Sequence, residues 1–240
     1  VKSLKMLRHY DPKYKNGAQK VFKNLLPNAA KLGGVTLGNF LTRKASVLIV
    51  VAYLPLSDSG SYALALNIFS VILSICLLYM TVKIPLLNAY RQKLMYIQLL
   101  QLQQKIRLVC LTLGIAAFLS FMFLGEYVLN YIGSITQLPS LMTLALFTLL
   151  YLLELNRTIS MNFIMSSNQV PFLKASLITG IACVGLTIVL FELQFTMIFV
   201  PVLVQLIAQT AFNNWYWTKQ ELAEARSLRR KGTYENIQSH

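Results

Sequence analysis

The chain has 240 residues, 56% of them hydrophobic and only 12% charged, with a mean hydropathy of +0.57. Soluble domains carry about a quarter charged residues, so a water-soluble enzyme is excluded. Lys and Arg outnumber Asp and Glu by 22 to 8, for a net charge of +14. A nucleic-acid-binding domain could share that balance, but not several nearly uncharged windows of about 20 residues, which read as membrane spans.

The predicted elements follow in chain order. Residues 1–32 form a basic segment with eight Lys and Arg against Asp11 alone. A first span is expected from about Val35 to Leu56, interrupted by Arg43 and Lys44, and a turn follows through Pro55, Asp58 and Gly60. A second span covers Tyr62 to Val82 and stops at Lys83 and Pro85. Residues 91–107 are polar and glutamine-rich, either an amphipathic surface helix or a simple extension of the helices on both sides. Further spans are expected over about 108–124, 141–156, 172–191 and 195–217, with Pro201 placed to kink the last. The fourth is short for a span and should run on beyond Asn156. The charged tail, 218–240, is expected to continue as a helix that frays. The expected fold class is therefore all-α: a polytopic integral membrane protein built as a six-helix bundle over residues 33–217.

Charge placement gives an orientation. Apart from Arg43 and Lys44, every Lys and Arg falls in 1–32, 83–107, 156–174 or the tail, while the turns near Asp58, Glu126 and Glu192 hold none. The positive-inside rule then puts both ends of this segment in the cytoplasm. Trp215, Tyr216 and Trp217 fit an interfacial aromatic belt there. Val1 at the start, with no signal-peptide layout, fits a piece of a longer chain.

Few residues offer chemistry. Cys76, Cys110 and Cys183 lie in apolar stretches without paired spacing, and the two histidines, His9 and His240, sit near the ends. No metal site, catalytic group or cofactor motif is expected, and the protein does not read as an enzyme. Arg43 and Lys44 are the informative pair. A helix starting after them would be too short to cross a bilayer, so both lie inside the span. A cation there costs roughly 2.5–3.5 kcal/mol on insertion scales. It requires a wet cavity, an ion-pair partner, or snorkelling toward the cytoplasm beside Asn39. No acid is expected near the membrane centre, Glu154 being placed toward the inner face. Unneutralised cations suit an anionic substrate such as a phosphate or pyrophosphate head group. Lys83, Arg157 and Lys174 at the inner mouth either add to that field or act as ordinary interfacial anchors. Gly34 and Gly38, and the small residues Ser176, Thr179, Gly180 and Cys183, point to close helix packing.

The first span with its central cation, followed by Ser59-Gly60-Ser61-Tyr62-Ala63-Leu64-Ala65, resembles the seventh and eighth spans of Wzx-type polysaccharide flippases. These belong to the MATE-like multidrug/oligosaccharidyl-lipid/polysaccharide superfamily. Lys83-Ile84-Pro85 before a basic loop is similar too, as is Ser167-Asn168-Gln169-Val170-Pro171 before a small-residue helix. Where many relatives carry an acid shortly after the cation, this chain has Ala45 and Ser46. The resemblance implies two six-helix lobes flanking a central cavity, this chain matching the C-terminal lobe and residues 1–32 the link between lobes. It implies transport of an undecaprenyl-pyrophosphate-linked oligosaccharide across the bacterial inner membrane for O-antigen or capsule synthesis, with Arg43 and Lys44 on the pyrophosphate. The implied partners are the lipid-linked oligosaccharide, membrane lipids, the N-terminal lobe and other polysaccharide-assembly proteins, but no nucleic acid. A multidrug exporter of the same superfamily, or a membrane-embedded glycan polymerase or scaffold, stays open as the alternative.

Overall fold

A computed structural model describes residues 12–134, 136–167, 173–208 and 214–238. Those residues form seven helices and no strands. They are α1 (Pro12–Tyr53), α2 (Leu56–Gln92), α3 (Tyr96–Tyr131), α4 (Leu141–Met165), α5 (Leu173–Glu192), α6 (Val200–Ala208) and α7 (Trp215–Gln238). Five of them, the 29–53 part of α1 and all of α2 to α5, are long and apolar enough to cross a membrane. The sixth expected span, 195–217, corresponds to α6 and the start of α7, but residues 209–213 between them lie outside the described residues. So do residues 1–11 and most of the stretch 167–171 that carries part of the resemblance.

Successive helices run up and down, as cross-links at the two ends show. At one end the Tyr53 hydroxyl donates to Glu192 at 2.5 Å, and Gly60 lies beside Thr136. At the other, Arg91 of α2 reaches the Phe163 carbonyl of α4 at 3.2 Å and Glu224 of α7 at 2.5 Å. Asp58, Glu126 and Glu192 mark the first end; Arg91, Lys93, Arg107 and Lys174 mark the second.

Helix α4 is the central element. In its apolar window 56% of residues are buried inside the bundle, against 22% in α3. Phe147 and Tyr151 of α4 join Phe69 of α2 and Phe118 of α3 in an aromatic core, with ring centroids 5.3–6.4 Å apart. Outside that core the surface is apolar: Leu48, Val71, Ile75, Val82, Leu108 and Phe123 are all well exposed. A water-soluble monomer rarely exposes so continuous an apolar surface; helices solvated by lipid do.

Helices α1 and α5 meet through small residues. A Cβ on Gly38 would lie 2.5 Å from the Ser176 backbone, and one on Gly180 would lie 2.7 Å from the Gly38 carbonyl oxygen. In lipid, where burying apolar surface gives no advantage, such backbone approach is what makes two helices adhere. The three cysteines are buried and free, as packing residues should be.

The 91–107 stretch takes the second of its two expected forms: α2 and α3 simply extend and are joined by a turn at 93–95, where Leu94 adopts φ 59°. Two local expectations change. Pro201 falls in the first turn of α6, where a missing N–H costs nothing, so it starts a helix rather than kinking one. Trp217 is fully buried against Val35 and Ile164, and Trp215 alone of the two tryptophans is exposed.

Replacing Gly38 with Leu should force α1 and α5 apart, costing about 1–3 kcal/mol of overpacking strain. Gly33→Leu is the matched control, because nothing lies within 4 Å of a Cβ there. Thermal unfolding of the detergent-purified protein should show a lowered midpoint for the first substitution only.

Candidate functional site

The centre of the bundle holds a carboxylate between two guanidinium groups. Glu154 lies close to the middle of the 25-residue α4, and Arg157 follows it by one turn. The Arg157 Nε donates to Glu154 Oε2 at 3.0 Å and its Nη2 donates to Oε1, a two-point grip within one helix. From α1, the Arg43 Nη2 stands 3.5 Å from the same Oε1. Arg157 also donates to the Asn39 side-chain oxygen at 3.3 Å, tying α4 to α1 a second time. The side chains of Glu154 and Arg157 are 7% and 5% exposed, that of Arg43 32%. Arg43 is thus the edge of the cluster and Arg157 its buried anchor.

This corrects the expected position of Glu154. Helix α4 runs on past Asn156, as its length required, and reaches Met165, which puts the acid at mid-helix rather than toward the inner face. Of the two cations of the first span, Arg43 is therefore not unneutralised: it shares one carboxylate with Arg157 of α4, leaving the cluster at +1.

Polar groups surround it. The Tyr151 hydroxyl donates to the Leu66 carbonyl at 3.1 Å and meets the Ser70 hydroxyl at 2.8 Å, while Arg43 sits 5.7 Å from the Tyr151 ring centre. Deeper along α1, the Tyr62 hydroxyl donates to Ser46 at 3.1 Å and accepts from Gln205 at 3.3 Å. The space among Thr42, Arg43, Tyr151, Glu154 and Gln205 is only about 10 Å³, room for one water at most. An anion reaching Arg43 must come from its exposed edge.

The remaining expected site residues do not converge there. Lys44 is exposed on the α1 stripe of Leu37, Phe40, Leu48 and Val51, because consecutive helical residues point about 100° apart. Lys83 lies 5.9 Å over the Tyr79 ring, and Lys174 is exposed at the start of α5. Of the six candidates, Arg43, Asn39 and Arg157 come together and Lys44, Lys83 and Lys174 stand apart.

A second polar cluster was not expected from sequence. Glu221 of α7 pairs with Arg107 and accepts from Gln103 at 2.9 Å, and Arg107 also donates to Ser160 at 2.9 Å. With the Arg91–Glu224 pair this pins α7 to α2, α3 and α4, so the tail is docked rather than loose. Beside it opens a cavity of about 590 Å³ between the ends of α2, α3 and α4. Among the described residues no group of three or more His, Cys, Asp or Glu could hold a metal ion.

No protein-family model matches the chain, and neither does any curated protein or solved structure.

Removing one member of a buried ion cluster strands the others, typically at about 3–5 kcal/mol. Glu154→Gln should therefore destabilise the fold by about that much. Arg157→Met should cost more than Arg43→Met, since Arg43 is partly exposed and holds its partner at one point. Unfolding midpoints of the three purified variants test the order; a larger loss for Arg43→Met would contradict it.

Proposed function

We propose that the chain is one lobe of a transporter that flips an undecaprenyl-pyrophosphate-linked oligosaccharide repeat unit across a bacterial inner membrane, for O-antigen or capsular polysaccharide synthesis. The supporting observation is the net +1 Arg43–Glu154–Arg157 cluster at the middle of helices long enough to span a membrane. Charged groups at that depth are costly, and ion or substrate pathways are their usual setting. The cluster has one releasable member. Arg157 neutralises Glu154 with two hydrogen bonds, so Arg43 can exchange its single 3.5 Å contact for an anionic head group without leaving a bare carboxylate.

In this reading Arg43 meets the pyrophosphate through its exposed edge, midway along the bundle. Asn67, Ser70 and Ser74 form a polar stripe on α2 next to Tyr151, suited to sugar hydroxyls. Lys44 and the mouth residues Lys83 and Lys174 contribute a longer-range positive field, while the lipid tail stays in the bilayer. Both ends of the segment lie in the cytoplasm, following the separation of basic and acidic ends along the bundle. A second lobe completes the cavity, and rocking of the lobes exposes it to each side in turn. No bond is made or broken, and no cofactor takes part.

One observation favours a second reading. Glu154 is an intramembrane carboxylate of the kind a cation exporter of the same superfamily would use. Its two arginine partners argue against that role, since they leave little negative field for an organic cation.

The two readings separate in cells. Arg43→Ala, at normal protein level, should strand lipid-linked repeat units in the inner leaflet and lower export about tenfold, the loss of one charge-assisted contact, and Lys44→Ala should have a smaller effect in the same direction. Drug susceptibility should stay unchanged. Unaltered export by Arg43→Ala removes the pyrophosphate role, and drug sensitivity caused by Glu154→Gln without repeat-unit accumulation favours the exporter.

A further inference from the structure

The cavity at the basic end has a mixed lining. Its floor is Met80, Ile84 and Ile159, and toward the helix ends the polar Asn88, Arg91, Asn162 and Ser166 alternate with Leu87, Leu94, Phe163 and Met165. The floor lies where the apolar stretch of α2 gives way to Lys83. Arg91 is nine residues beyond Val82, about 13 Å farther along the axis at 1.5 Å per residue. A head-group layer begins where the hydrocarbon ends. The cavity thus spans the level at which lipid phosphates and their hydroxylated substituents sit, and its 590 Å³ falls in the range of small-molecule sites.

Among the described residues Arg91 is the one charged side chain in the lining, and it is held in an unusual way. Its Nη1 donates to Glu224 at 2.5 Å and its Nη2 to the Phe163 carbonyl at 3.2 Å, while its guanidinium lies 5.3 Å from the Phe163 ring centre. Its Nε is buried without a hydrogen-bond partner among the described residues. A guanidinium stacked and oriented in this manner is preorganised to bind an oxyanion at two points. Glu224 holds Nη1 and the Phe163 carbonyl holds Nη2, so an oxyanion reaches this guanidinium by displacing the Glu224 carboxylate. That carboxylate comes from α7, an element attached at the rim, not from the cavity walls.

We propose that this cavity binds the head group of a phosphate-bearing lipid. Arg91 holds the phosphate, the surrounding amides receive sugar or glycerol hydroxyls, and Glu224 is a tethered competitor for the same guanidinium. The apolar floor of Met80, Ile84 and Ile159 favours a lipid over a free anion, because it offers the first carbons beyond a phosphate an apolar surface. The site is separate from the Arg43 cluster and requires only that these helices lie in a membrane. It stands or falls independently of the transport reading.

The test is lipid retention by native mass spectrometry of the purified, delipidated protein. Phosphatidylglycerol, a polyprenyl pyrophosphate and soluble inorganic pyrophosphate are titrated separately. Glu224→Gln should tighten lipid binding about tenfold by removing the competing charge, and Arg91→Ala should weaken it by at least as much. Arg226→Ala, an exposed cation on the same helix, should change nothing. Should Arg91→Ala fail to fold, the gain in Glu224→Gln still decides, since misfolding does not tighten binding. Retention of both lipids supports a general phosphate-lipid site; retention of the polyprenyl pyrophosphate alone supports a site for the carrier lipid itself. Lipid affinity unchanged by Glu224→Gln, or inorganic pyrophosphate bound as tightly as either lipid, overturns the proposal.

Discussion

A carboxylate cannot be left alone in a hydrocarbon environment, and Glu154 sets the terms for everything around it. Arg157, one turn away on the same helix, supplies a neutralising grip that needs no other element. Arg43 and Asn39 bring α1 to the same spot, so the charge cluster fixes how α1 lies against α4. The weak dielectric screening inside a bundle strengthens these attractions and equally raises the penalty for a missing partner. That balance makes the cluster a positional constraint as much as a source of stability. It also accounts for the polar chemistry carried by α4, whose apolar window is the most deeply buried of the five.

Around this point the bundle divides into two kinds of contact. Helices α2, α3 and α4 share an aromatic core centred on Phe69, where interlocked rings leave little freedom to slide. Helices α1 and α5 instead touch backbone to backbone at Gly38 and Gly180. Between the two units lie Arg43, Ser46, Tyr62 and Gln205, linked by polar contacts. Hydrogen bonds of this sort are modest in strength even within membranes. The seam through the site is therefore held by polar contacts and not by interlocked rings.

The fold class was legible because uncharged apolar windows of span length belong to helices that cross a bilayer, and the small residues of α1 and α5 announced their packing. Arg43 was conspicuous as a charge inside such a window. Its partner was not, for a local reason. Thr158, Ser160 and Asn162 lower the hydropathy of the end of α4, yet each side chain bonds back to a carbonyl four residues earlier. Polar residues that satisfy themselves in this way can continue a buried helix, and the continuation moves Glu154 to its middle. An acid followed three residues later by an arginine was the available sign. The adjacency of Arg43 and Lys44 does not carry over to space, since neighbours in sequence face different sides of a helix. Arg91 and Glu224 lie 133 residues apart, and no periodicity joins them.

The short turn at Leu94 has a mechanical consequence. It joins α2 and α3 so tightly that their ends must move together. From Phe69 in the aromatic core to Arg91 the distance along α2 is about 33 Å at 1.5 Å per residue. Over such a lever a tilt of about 10° at the core becomes a displacement of about 6 Å at the tip. A tilt of the hairpin would thus carry Arg91 and Arg107 together and load the pairs by which they hold Glu224 and Glu221 of α7. The hairpin is a pointer, and the ion pair at its tip is where a slight motion in the middle of the membrane becomes a large one at its edge.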